Sequence, residues 1–225
     1  RYYETQLKKT GVAVKTGKAV GRADVESCRP DMLIIGTGPV HDSLKIPGAD
    51  RADVKTGAAL HKQLKFYLRI FRPPLLEKLT KLWMPIGRKV AVIGGAIHGC
   101  ELAEFLIKRD REVAIFHTGD ELADGIPIED QMRLFPWFDR KGISRYTGVK
   151  YESITDEGLS FITKEGETKT LKFDTYVVAL PMLPNGESTG SFEGLVKETR
   201  VIGSCADAGL IVDAVLDGAR AGNTV

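Results

Sequence analysis

Six residues, Gly94-Gly95-Ala96-Ile97-His98-Gly99, follow the apolar run Val90-Ala91-Val92-Ile93 and lead into Cys100-Glu101-Leu102-Ala103-Glu104. A strand, a turn of small residues and a helix in that order can hold a dinucleotide. The turn must lack side chains where backbone amides meet a pyrophosphate, and the helix amino terminus offers free N–H groups and a positive dipole end. Gly94 suits the sharp turn and Gly99 the close crossing of helix and sheet. Ala96 takes the middle place, where its methyl narrows the approach to phosphate, and Gly95 beside it adds backbone freedom. His98 reads as a helix-start residue near the pyrophosphate. Glu101 reads as a carboxylate in the first helical turn, directed toward the nucleotide, and Glu104 as half of an exposed pair with Lys108. The competing reading is an empty structural turn.

The residue ending the second strand of such a unit selects the cofactor, because a carboxylate there binds the adenosine ribose diol and repels a 2′-phosphate. Here that residue is His117, followed by Thr118. Both can donate to a phosphate, which tilts the expectation toward NADP(H) over NAD(H). Cys28, Cys100 and Cys205 are far apart and form no C-x-x-C pair, so they predict reduced, mostly buried thiols rather than a metal site or a dithiol redox centre.

The elements that must position these residues alternate in type. Short apolar runs at Gly11–Val14 and Asp31–Gly36 predict two parallel strands, and Leu60–Arg72 and Leu75–Trp83 two short helices separated by Pro73-Pro74. Residues 88–116 predict a βαβ unit, with its helix from Ile97 to Arg109. Ile128–Lys141 predicts a helix that Pro136 kinks or breaks early. Turn signals at Asp156-Glu157-Gly158 and Lys164-Glu165-Gly166 divide 143–171 into an antiparallel meander of about three strands. Thr175–Leu180 reads as a buried strand of the parallel sheet, Pro181 and Pro184-Asn185-Gly186 as a crossover, and Arg200–Gly203 and Gly209–Arg220 as a last strand and helix. The class is α/β with parallel, Rossmann-like sheets.

With these residues in place, the chain resembles the flavoproteins with two dinucleotide-binding domains. It is most similar to the carboxy-terminal FAD/NAD(P)-binding half of the 2-enoate reductase and 2,4-dienoyl-CoA reductase family, the old yellow enzyme-like NADH:flavin oxidoreductases. Ile35-Gly36-Thr37-Gly38 resembles the family's crossover between flavin and nicotinamide domains and is followed by Ile46-Pro47-Gly48. The turn from Val92 to Glu104 resembles its nicotinamide site, Ala179–Asn185 its return crossover, and Val201-Ile202-Gly203 with Gly209–Ala214 its final flavin-contacting strand and helix.

The resemblance implies an incomplete FAD-binding domain over 1–50 and 182–225, with Gly36, Thr37, Gly38, Gly203 and Ser204 facing flavin, and an NAD(P)-binding domain over 51–181. It implies hydride transfer from NAD(P)H to FAD, with Glu101 near the nicotinamide. Electrons would then pass through an iron–sulfur cluster to FMN in a barrel domain or subunit, where an enoate or acyl-CoA double bond is reduced. Ser204 stands where the family usually carries aspartate, and the opening flavin motif and the cluster-ligating cysteines are not in this sequence. These departures predict poor FAD binding and no turnover by these residues alone.

Composition narrows the partners. With 32 basic and 30 acidic side chains and a net charge of +2, no basic face suggests nucleic acid. The mixed stretch Lys62–Arg72 reads as one solvated and one docked helix face. No apolar run reaches the ~20 residues of a membrane span, and the expected location is cytoplasmic. Arg1–Lys9 reads as part of an amphipathic helix in a longer protein. The oligomeric state, including a homo-oligomer, is left open. The alternative function is a degenerate or non-catalytic dinucleotide-binding or electron-transfer module, in which Ala96, His117 and Ser204 mark weakened cofactor sites.

Overall fold

A computed structural model describes residues 2–57, 59, 60, 80, 84 and 86–224. The helices expected over Leu60–Arg72 and Leu75–Trp83 lie, but for residues 60 and 80, outside the described residues. The chain divides into two compact units, one of residues 40–183 and one of residues 1–39 with 184–225.

The central unit is built on a five-stranded sheet in the order β3-β10-β4-β5-β6. Its strands are Val54–Thr56 (β3), Lys89–Ile93 (β4), Glu112–Phe116 (β5), Ser144–Tyr146 (β6) and Thr175–Val178 (β10), and every pairing is parallel. Parallel sheets are covered on both faces, so their strands are apolar nearly throughout. In β4 only Lys89 is exposed. Its period of two sends Val90 and Val92 to one face and Ala91 and Ile93 to the other. The first face packs against helices Ile97–Ile107 (α3) and Ile128–Arg140 (α4) through Cys100, Ala103, Leu106, Leu134 and Phe138. The second packs against the meander of Lys150–Thr155 (β7), Gly158–Ile162 (β8) and Thr168–Leu171 (β9) through Ile154, Leu159 and Phe161.

Two elements of this unit differ from the sequence expectation. Ser144–Tyr146 is not part of the meander: it extends the parallel sheet beside β5, and the meander starts at Lys150. The α4 helix runs through Pro136 to Arg140 without a break, as its buried Leu134 and Phe138 flank the proline and dock on the core. Ile46-Pro47-Gly48 is a docking element of the central unit. Ile154 N–H donates to Pro47 O at 2.9 Å, and a Cβ on Gly48 would lie 1.9 Å from Ile154 O. That contact and the pairing of Val40–His41 (β2) with Met182–Leu183 (β11) hold residues 40–50 to the central unit.

In the other unit, Met32–Ile35 (β1) pairs in parallel with Glu198–Val201 (β12), and Val25, Ile35, Phe192 and Cys205 form its small core. Helices Tyr2–Lys9 (α1), Arg22–Cys28 (α2), Gly186–Gly190 (α5) and Ile211–Asn223 (α6) complete it. The strand expected at Gly11–Val14 does not form. Val12 and Val14 are 50% and 58% exposed, and no strand among the described residues offers them the hydrogen-bond ladder that a β conformation requires.

Candidate functional site

The turn after β4 is as tight as its sequence demands. Gly94 has φ +112°, which glycine tolerates, and a Cβ there would lie 2.4 Å from Ala179 O. Its N–H donates to Phe116 O at 2.8 Å, tying the turn to the end of β5. A Cβ on Gly95 would strike Leu122 Cδ2 at 2.3 Å, and one on Gly99 would lie 1.8 Å from Gly94 O, so α3 crosses the turn at backbone contact. Ala96 is the extended residue preceding α3. Gly94 and Gly95 are buried, Ala96 and Ile97 half-buried, and His98 exposed.

The amide inventory sets what this turn can bind. The first amides of a helix have no intrahelical partner. The first bond within α3 is from Cys100 N–H to Ala96 O, and Ile97 N–H is taken by Asp124 O at 3.0 Å. The N–H groups of Ala96, His98 and Gly99 have no partner among the described residues. Three free donors at a positive dipole end, with glycine on either side, fit a pyrophosphate.

The segment after β5 straps this turn from above, which sequence reasoning missed. Ala123 N–H donates to Gly95 O at 2.7 Å, Cys100 S–H donates to the same oxygen at 3.3 Å, and Leu122 covers Gly95. Ala123 is fully buried at φ +68°, a left-handed conformation uncommon for alanine, and these contacts hold it there. Burial also pushes the Cys100 thiol up to about 11.

His117 serves this strap rather than facing outward. Its Nδ1 accepts Gly95 N–H at 3.2 Å, so the proton of the neutral ring sits on Nε2. Burial lowers its pKa, against a smaller opposing effect from Asp124. The Nε2–H is left as the donor that the sequence offered to a 2′-phosphate. Thr118 is exposed and borders an open pocket of about 470 Å³ with Lys45 and Lys150.

Glu101 departs from expectation, while Glu104 makes the expected pair with Lys108 and a further one. Glu101 is exposed and is the fifth residue of α3, beyond the first turn where the dipole acts strongly. Glu104 is 15% exposed and holds both Lys108 at 2.8 Å and the Arg133 guanidinium, with Nη1 at 3.0 Å and Nη2 at 3.3 Å. It thus joins α3 to α4, and the Arg133 hydrogen bond, with help from Lys108, lowers its pKa.

The remaining candidate residues lie in the other unit. Gly36 follows β1, Gly38 has φ +81°, and Thr37 Oγ1 accepts a hydrogen bond from Ser188 at 3.0 Å. Gly203 is buried at φ +64° against Ala214 of α6, and its N–H donates to Asp217 Oδ2 at 3.1 Å. Ser204 is half-buried, with no hydrogen bond from its hydroxyl among the described residues.

Residues 1–200 match the family model described as pyridine nucleotide-disulphide oxidoreductase. The chain belongs to that family. It is 27% identical over 218 residues to an NADH oxidase of Thermoanaerobacter brockii and 26% identical over 208 residues to a cinnamate reductase of Clostridium sporogenes. These alignments cover 96% and 90% of the chain, but 31% and 28% of the relatives, so the chain spans about a third of their length. The fold is that of the matching part of a 2-naphthoyl-CoA reductase structure, with TM-score 0.79, 24% identity, all of this chain and 31% of that one. Thioredoxin reductase of Lactococcus lactis shares it with TM-score 0.61 and 20% identity over 85% of this chain and 63% of that one. The Rossmann-like flavoprotein class expected from sequence, and the resemblance to enoate and acyl-CoA reductases, therefore hold. Among the described residues no helix is long and apolar enough to cross a membrane, and no cluster of metal-ligating side chains is present.

Proposed function

We propose that the chain is the nicotinamide- and flavin-handling part of an NAD(P)H-dependent flavin oxidoreductase. The nicotinamide dinucleotide belongs to the unit of residues 40–183, and the flavin to the unit of residues 1–39 with 184–225. The observation that carries this reading is the set of free amides on Ala96, His98 and Gly99 above a turn in which Gly94, Gly95 and Gly99 leave no room for a Cβ. When bound, the nucleotide supplies hydride and FAD accepts it, for reduction of an enoate, enoyl-CoA, dienoyl-CoA or aryl-CoA double bond in an FMN and iron–sulfur barrel of the larger protein.

The chain's own residues bind and orient. The α3 amides hold the pyrophosphate, Leu122 and Ala123 keep the turn rigid, and exposed Glu101 stands on α3 to orient the nicotinamide. Gly36, Thr37, Gly38 and Gly203 border the flavin, where Ser204 offers only a hydroxyl. A single hydroxyl predicts weak FAD retention, since a charge-assisted bond is about twice as strong as a neutral one.

Calorimetric titration with NADPH and NADH tests this function. Saturable one-site binding, lost in Gly94→Asp because that position has neither the φ nor the space for a side chain, is the expected result. A folded protein that binds neither nucleotide at millimolar concentration would refute it in favour of a degenerate module.

A further inference from the structure

The open pocket beside Thr118 is assembled from segments far apart in sequence. Val149 N–H donates to His117 O at 3.1 Å and Gly148 N–H to Gly119 O at 2.7 Å, which fixes the start of β7, and with it Lys150, beside the end of β5. From the other side, β2 pairs with β11 and carries residues 42–46 past Leu180, bringing Lys45 to the same pocket.

The two lysines are set apart by position, since Lys89, Lys141 and Lys172 of the same unit also lack an ion pair among the described residues. Lys108, Lys164 and Lys169 of the same unit are each paired with a carboxylate. Lys45 and Lys150 have no ion pair and no side-chain hydrogen bond among the described residues. Asp42, the pocket's single carboxylate, accepts its neighbour's Ser43 N–H at 2.8 Å, and Tyr151 O–H is already donated to Phe116 O at 2.9 Å. The polar capacity left over is two ammonium groups and the Ser43 and Thr118 hydroxyls against the one Asp42 carboxylate, and the net positive charge suits a phosphate.

The position in the fold names which phosphate. In a βαβ dinucleotide unit the end of the second strand lies at the adenosine ribose, and Thr118 is at that end. We propose that this pocket takes the 2′-phosphate of NADPH, with Lys45 and Lys150 supplying the countercharge and Thr118 a hydroxyl donor. The proposal rests on the dinucleotide function above. It adds two positive charges near His117, whose Nδ1 is engaged with Gly95.

Calorimetry separates this proposal from the function beneath it. Wild-type protein is expected to bind NADPH more tightly than NADH, and 2′-AMP more tightly than 5′-AMP. In Lys45→Gln/Lys150→Gln both preferences should narrow by about tenfold for each lysine. Lys164→Gln, which removes a lysine already paired with Asp120, should leave both ratios as they are. Melting temperatures check that each variant is folded. Equal ratios in the double variant and the wild type, or wild-type binding of NADH as tight as NADPH, overturn the 2′-phosphate pocket while nicotinamide binding stands. Binding of neither dinucleotide overturns both.

Discussion

Replacing Gly99 by alanine adds one methyl at the tightest point of the candidate site. The new Cβ would lie 1.8 Å from Gly94 O and 2.7 Å from Gly94 C. Reaching a contact of ~3.5 Å requires α3 and the turn to part locally by ~1.7 Å. Neither side yields easily. Gly94 is bonded to Phe116 O and hemmed in by Ala179, while Cys100, Ala103 and Leu106 of α3 are fully buried. Alanine in a helix interior is favoured over glycine by ~1 kcal/mol, whereas overpacking costs ~1–3 kcal/mol. Because backbone obstructs the methyl, the upper part of that range applies. The net loss is ~1–2 kcal/mol, or roughly 2–8 °C in Tm for a chain of this size. The same substitution at Gly218 in α6, where a Cβ meets nothing within 4 Å, should instead stabilise by ~0.5–1 kcal/mol. A displacement of this size also moves the free amides, and a misplacement of ~1 Å can cost ~100-fold, so NADPH affinity should fall by roughly 10- to 100-fold. Thermal melting followed by circular dichroism, with calorimetric titration, measures both effects. A Gly99→Ala protein that melts at or above wild type and binds NADPH as tightly would refute the claim that helix and turn meet at backbone contact.

Further outcomes follow from the same geometry. Gly48→Ala, with φ +85° and Ile154 O 1.9 Å from the new Cβ, should cost ~2 kcal/mol or more in urea unfolding by detaching residues 46–48 from the meander. His117 has a folded pKa below its ordinary 6.5, so the unfolded chain binds its proton first. Its contribution to stability is complete above pH 6.5 and declines as pH falls through 6.5 toward the folded value. Melting profiles between pH 5 and 8 should therefore be flatter for His117→Gln than for wild type. Iodoacetamide at pH 8 should label exposed Cys28 quickly and leave Cys100 and Cys205 unmodified until unfolding, since both are buried and the Cys100 thiol is pushed up to about 11; mass spectrometry of the native protein reads this directly.

The sequence by itself determined the elements whose signals are local. The β4-turn-α3-β5 unit is written in an apolar run, three glycines and an apolar helix face. The meander is marked by Gly158, which opens β8 at φ +134°, and Gly166, which lies between β8 and β9 at φ +87°. Backbone conformation and side-chain period are properties of neighbouring residues, so both can be read along the chain. Tertiary structure decided what depended on distant partners. Val12 and Val14 have the composition of a strand but no ladder to join among the described residues, while Ser144–Tyr146 finds one at β5. His117 gives its Nδ1 to Gly95 and keeps Nε2–H as its donor, and Glu104 adds Arg133 of α4 to its expected partner Lys108. Lys45 and Lys150 are 105 positions apart and carry no motif. Only the pairing of β2 with β11 and the bonds from residues 148 and 149 to the end of β5 bring them to one pocket, because parallel sheets join residues through crossovers too long for any local pattern to record.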